Sequence, residues 1–153
     1  MKRTLCCLFV LLFALTAVCY AEAPSEITCE SLAEAVLASA DFRELKDMTE
    51  RYLEKYLILS ADDLEEWVFK RDASRATPEM ILIMKVREGA DQALIRQTAQ
   101  ELRDEQLLEY RDYQPAEVFK LENTQALENG RFIALIVSPD PQASIAALGE
   151  GWK

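Results

Sequence analysis

Residues Met80 to Val86 read MILIMKV, seven residues of which six are apolar and three are β-branched. A run this short falls below the length of an ordinary core helix, and Pro78 and Gly89 punctuate its two ends, so it predicts a strand buried on both faces. Left uncovered, such a strand is a template for aggregation. The rest of the chain must therefore provide strands to pair with it and helices to cover it.

The second strand signal is TQALENGRFIALIVS, where Asn129 and Gly130 separate two extended runs. Both residue types accept the positive φ angles of a type I′ turn. This predicts a tight hairpin flanked by Glu128 and Arg131, with Leu127 opposite Phe132 and Ala126 opposite Ile133. The run Phe132 to Val137 is almost wholly apolar and belongs at the centre of the sheet. A shorter extended run, Trp67 to Phe69, follows one helical turn with Ser60 and Asp63 as its cap, and forms the other strand pair with Met80 to Val86.

Elsewhere the apolar spacing is helical. In ITCESLAEAVLASADF, residues Leu32, Val36, Leu37 and Ala40 share a face, with Thr28 or Ser31 as the cap. In FRELKDMTERYLEKYLILS, residues Leu45, Met48, Tyr52 and Tyr56 recur at spacings of three and four with charges opposite, predicting a second helix close behind the first. The longest helix carries Ile95, Ala99, Leu102, Tyr110 and Tyr113 on one stripe, starts near Asp91 and ends at Pro115, which also opens a short turn in PAEVFKLE. In SPDPQASIAALGEG, Asp140 caps, Pro141 takes the first helical position and Gly149 stops a terminal helix.

These elements predict an α+β fold: a mainly antiparallel sheet of about four strands with helices over one face, preceded by an N-terminal helical pair. Residues 22–153 are expected to form a single domain, with N-terminal helices in 22–59, sheet and long helix in 60–140, and a C-terminal helix and tail in 141–153.

Residues 1–21 have a different character. Lys2 and Arg3 precede an apolar run from Leu5 to Val18, and small residues follow at Ala21 and Ala23, which is the layout of a secretory signal peptide. Fourteen residues are too few to span a bilayer, which takes about 20. Cleavage is expected after Ala21, with Cys19 and Ala21 as the small residues. The alternative is lipid attachment to Cys19, for which Val18 and Thr16 stand where a small residue and Leu are wanted. The predicted location is extracytoplasmic, with membrane contact only through a lipid on Cys19.

Removal of the leader takes away Lys2 and Arg3 and no acid, leaving 15 basic against 27 acidic residues and a formal charge of −12. With no cluster of Lys and Arg to displace counterions, nucleic acid is not an expected partner. Cys6, Cys7 and Cys19 leave too, so only Cys29 remains and no internal disulfide forms. Cys29 starts a helix, which favours thiolate, while Glu26 and Glu30 oppose it. It reads as a half-buried apolar residue, with an intermolecular disulfide as the alternative.

The 153 residues contain no histidine, which removes Ser-His-Asp and Cys-His nucleophiles and His-ligated zinc. One cysteine cannot build a thiolate zinc site or an iron–sulfur cluster. Four glycines, at 89, 130, 149 and 151, form no phosphate-cradling loop. Asp62, Asp63, Glu65 and Glu66 are the densest acidic cluster, but lack the spacing and glycine of a calcium loop and read as a solvated helix start. Tyr52, Tyr56, Tyr110 and Tyr113 offer material for a groove, although rings at helical spacing ordinarily pack inward and leave the hydroxyl wet. No catalytic, cofactor-binding or metal residue is nominated, and no cofactor is expected.

TPEMILIMKV, the long charged helix and YRDYQPAEVFKLENTQALENGRFIALIVSPD, together with the leader, resemble a bacterial family called domain of unknown function 4358. The resemblance runs over about residues 45 to 140. It rests on a strand opened by Glu79, a helix, a Tyr-x-Pro element at Tyr113 and Pro115, and a Gly-turn hairpin ending in an apolar strand. It implies a bacterial exported protein, often lipid-anchored in similar members, and carries no activity. The function expected is a non-enzymatic binding or assembly module at the cell surface, whose partner is an unknown protein or cell-envelope component. The alternative is a small carboxylate-dependent hydrolase acting on cell-wall glycans, which requires two converging acids in a cleft.

Overall fold

The computed structural model describes residues 26–153. The expected leader, its expected cut after Ala21 and the residues Cys6, Cys7 and Cys19 lie outside the described residues. Among the described residues no helix is long and apolar enough to cross a membrane.

The fold is a five-stranded antiparallel sheet between two layers of helices, one strand more than expected. In chain order the elements are α1 (Cys29–Ser39), β1 (Leu45–Asp47), α2 (Glu50–Leu57), β2 (Leu64–Asp72), β3 (Met80–Val86), α3 (Gln92–Tyr113), α4 (Val118–Glu122), β4 (Leu127–Asn129), β5 (Phe132–Val137) and α5 (Pro141–Ala147). The strand order is β1-β2-β3-β5-β4, with every neighbouring pair antiparallel.

Period-two alternation in the central strands creates two cores. Met80, Leu82, Met84 and Val86 of β3 join Ile133, Leu135 and Val137 of β5 under α2, α3 and α4. Ile81, Ile83, Ala134 and Ile136 face the other way, toward Cys29, Leu32, Ala33 and Val36 of α1 and toward Leu148 just after α5. Helices therefore cover both faces, not one. A strand apolar on both sides demands this, because each large aliphatic side chain gains about 1.5–3 kcal/mol by leaving water.

The predicted N-terminal helical pair is interrupted. Residues Leu45–Asp47 form a strand on Asp72, Arg71 and Lys70, and the second helix begins only at Glu50. The apolar spacing from Leu45 to Tyr56 matched a helix, but Met48 N donates to Phe69 O at 2.8 Å, fixing the segment to the sheet before α2 starts. Tertiary pairing overrode the local period. Similarly, β2 runs well beyond Trp67–Phe69. A bulge between Leu64 and Glu66 shifts its phase, so that Leu64, Trp67 and Phe69 all reach the α3 side.

Caps fall largely where the residue types placed them. Thr28 and Ser31 form a reciprocal capping box on α1, Asp91 accepts from Leu94 N, and Asp140 accepts from Ala143 N with Pro141 inside. The β4–β5 turn differs by one position on each strand: Leu127 pairs with Ala134 and Asn129 with Phe132. Gly130 and Arg131 are thus its central residues, and only Gly130 (φ 57°) takes positive φ, the pattern of a type II′ rather than a type I′ turn. The slip moves each partner by two residues, so the same side chains still face the same core. On the outer side of β4, Glu128 and Lys153 exchange backbone hydrogen bonds of 2.9 and 3.1 Å.

Candidate functional site

A cleft of about 340 Å3 opens between α2 and the end of β2. Its geometry follows from α2, in which Leu53 and Leu57 anchor the inner face while Tyr52 and Tyr56, four residues apart, line one side. The two rings stack with centroids 6.2 Å apart and planes 18° apart, and Tyr56 meets Phe69 edge-on at the same distance. Asp47, Met48 and Thr49 lead the chain into the helix along the cleft. Thr49 occupies the N-cap position, yet its hydroxyl makes no capping hydrogen bond.

Arg71 contributes a charge on a largely buried side chain. It is 7 % exposed, and its guanidinium lies 4.9 Å from the centre of the Tyr56 ring while lining the cleft. Among the described residues it has no carboxylate within salt-bridge distance and no hydrogen-bond acceptor. A cation over an aromatic face gains about 0.5–2 kcal/mol, which offsets part of the cost of shielding that charge from water. Lys55, 5.7 Å from the same ring centre, stands at the rim.

The other charges of the cleft are engaged. Asp47 accepts from Lys70 Nζ at 2.5 Å. Asp72 accepts from Ser74 N (2.8 Å), Ser74 Oγ (2.5 Å), Thr77 N (3.0 Å) and Thr77 Oγ1 (3.1 Å), closing the β2–β3 turn. Burial raises the pKa of Asp72, but these hydrogen bonds together outweigh it and hold the carboxyl below its ordinary value. Arg75, in the left-handed region at φ 60°, pairs with Glu109. The Tyr110 hydroxyl donates to the Thr77 carbonyl (2.6 Å) and lies 3.1 Å from that of Arg75, fixing the turn from below. Burial pushes Tyr110 up to about 12, with the Arg71 charge opposing.

Beneath the turn lies a buried ion pair. Lys120 Nζ donates to Glu79 Oε1 at 2.6 Å and to Glu117 Oε2 at 2.5 Å, and Arg43 N donates to Glu79 Oε2 at 2.7 Å. Here both charges are satisfied. The same is true of a larger cleft of about 440 Å3 below the β4–β5 turn, where Lys85 and Arg131 both reach Glu65 at 2.7 and 2.6 Å.

The four tyrosines part company. Tyr52 and Tyr56 line the cleft, Tyr110 is buried, and Tyr113, assigned to the packed stripe, is 64 % exposed at the end of α3. In its place the stripe takes Gln106, buried with neither amide atom partnered among the described residues. The acidic cluster is split by the bulge: Asp62 and Asp63 sit on a single 3-10 turn, Glu65 holds Lys85 and Arg131, and Glu66 accepts from Cys29 N at 2.8 Å. Among the described residues no three metal-ligating side chains converge. Cys29 is fully buried rather than half-buried, which denies a second chain's thiol any approach, and burial first and the Glu66 carboxylate second push it up to about 12.

Arg71 went unread in the sequence although a signal for it exists. In LEEWVFKRD, Trp67, Phe69 and Arg71 alternate on one face, so a strand continued past Phe69 puts a guanidinium where a third apolar side chain belongs.

The family model for the domain of unknown function DUF4358 matches residues 38–138. The chain belongs to this family. The DUF4358 match takes in all five strands, the cleft and the Glu79–Lys120 pair, and it leaves out α5 and nearly all of α1. No curated protein and no solved structure matches the chain.

Proposed function

We propose that this DUF4358 protein is an extracytoplasmic bacterial binding module without catalytic activity, and that it engages its partner in the cleft over Arg71. The observation that carries the reading is a guanidinium on a side chain only 7 % exposed, opening on a cleft and, among the described residues, lacking an anion of its own. A folded chain tolerates that cost where a ligand supplies the missing charge. The leader supports export, with mature residues beginning at Glu22.

The glycan hydrolase gains no support from the cleft. Its two acids, Asp47 and Asp72, are held by Lys70 and by the Ser74 and Thr77 groups. A general acid needs a raised pKa, whereas that of Asp72 is lowered.

The test is made on the processed protein purified from cells. Its mass is expected to begin at Glu22, and at least one compound in a panel of small anions, sugars and peptides is expected to raise the melting temperature of the native protein but not of Arg71→Gln. A panel in which no compound distinguishes the two, or release of product from cell-wall glycan, overturns the binding reading. An acylated Cys19 at the N-terminus overturns the free, exported form.

A further inference from the structure

The charges around the cleft define the ligand more closely than the cavity alone. Three cations, Lys55, Arg71 and Arg75, and two carboxylates, Asp47 and Asp72, line it. Removing the pairs that Arg75 makes with Glu109 and Asp47 with Lys70 leaves Lys55 and Arg71 against Asp72. Either way the excess is a single positive charge. A dianion would bring a second negative charge close to Asp72, which has four hydrogen bonds keeping it ionised, so the balance favours an anion of charge −1.

Shape adds a second requirement. A guanidinium presents a planar fork that matches a carboxylate with two parallel hydrogen bonds. The Thr49 hydroxyl, unused by α2, adds a neutral donor on the same cleft. Tyr56 is covered by Arg71, but Tyr52 is 46 % exposed, leaving ring surface at the wall on which the apolar face of a ligand ring can stack. A volume of about 340 Å3 lies at the lower end of small-molecule sites, room for one ring rather than a chain of them.

We infer that the cleft binds a ring-borne monocarboxylate, the carboxylate on Arg71 and Thr49 and the ring on Tyr52, with a uronic-acid sugar and an aromatic acid as the two sources of that chemistry. This rests on the cleft being the binding site proposed above.

Titrations of the purified protein with glucuronate, benzoate, glucose and inorganic phosphate, followed by NMR, separate these cases. Glucuronate or benzoate is expected to shift the Arg71 side-chain NH and the Tyr52 ring resonances to saturation, with glucose and phosphate at least about tenfold weaker. Whichever acid saturates at the lower concentration identifies the source. Arg71→Lys, which keeps the charge and loses the fork, is expected to weaken binding about tenfold, and Arg71→Gln to abolish saturation. Should the Arg71 variants unfold, Tyr52→Ala and Lys55→Gln at the rim replace them, each expected to weaken the same acid. Tighter binding of phosphate than of either acid overturns the single-charge assignment, and binding unaffected by Tyr52→Ala and Lys55→Gln overturns the site. If neither acid binds while another panel compound still separates the native protein from Arg71→Gln, the ligand class falls and the binding module stands.

Discussion

At the scale of single residues, the informative positions are those where a charge occupies a place built for hydrocarbon. Arg71 and Lys120 are both nearly buried, but they are balanced differently: among the described residues Lys120 has Glu79 and Glu117, and Arg71 has only a ring. Removing one member of a buried pair strands the other, so Lys120→Met is expected to cost about 3–5 kcal/mol. The double variant Glu79→Leu with Lys120→Met is expected to be the more stable of the two in urea unfolding, because the buried Glu79 charge no longer stays behind and the one carboxylate left without Lys120, Glu117, reaches solvent. Equal stability of the single and double variants would show that Glu79 is not stranded when Lys120 is lost. Neither charge was legible as buried in the sequence. Glu79 opens a strand and Lys120 sits in a short turn, and what joins them is a contact between residues 41 apart.

At the scale of elements, the parts written in local chemistry were readable. Thr28, Asp91, Asp140 and Pro141 start their helices through hydrogen bonds and φ preferences that involve only neighbouring residues. The parts decided by distant pairing were not. Leu45–Asp47 became a strand because β2 offered an open edge, and β2 outran its apolar centre because β3 pairs with it as far as Arg71. The end of α2 also departs from rule: Ile58, a β-branched residue 88 % exposed, takes the left-handed conformation at φ 51° that usually falls to glycine. Left-handed φ costs an L-residue about 1–2 kcal/mol, so Ile58→Gly is expected to stabilise the protein by about 1 kcal/mol, read as a higher urea midpoint. A lower midpoint would mean that Ile58 contributes packing that its exposure does not suggest.

For the whole molecule, the alkaline limit of stability follows from three buried groups whose shifts have the same sign. Cys29 is raised from 9.0 to about 12 and Tyr110 from 10.0 to about 12, both chiefly by burial. Burial disfavours the charge on Lys120, but its hydrogen bonds to Glu117 and Glu79 outweigh that and leave it above 10.5. A pKa raised by folding contributes stability that is complete below the unfolded value and is lost as pH climbs toward the folded one. The urea midpoint is therefore expected to fall from about pH 9 upward, and in Cys29→Ala the fall is expected to begin nearer pH 10; an unchanged onset would clear the thiol of any part in it. Asp72 works at the opposite end: its pKa is lowered, so its contribution is present above 3.8 and fades as acid protonates it in the folded state.

The margins of the sheet limit how another chain could pair with it. Both border strands are three residues long; at β4 the outward groups of Glu128 are taken by Lys153, and beside β1 the carbonyls of Phe69 and Glu66 accept from the Met48 amide and the Cys29 thiol. Among the described residues, so short a border at either rim leaves an incoming peptide few main-chain partners for pairing as a sixth strand. If the proposed binding role holds, side chains rather than the sheet border carry most of the contact, which would make the protein selective for chemistry rather than for any extended polypeptide.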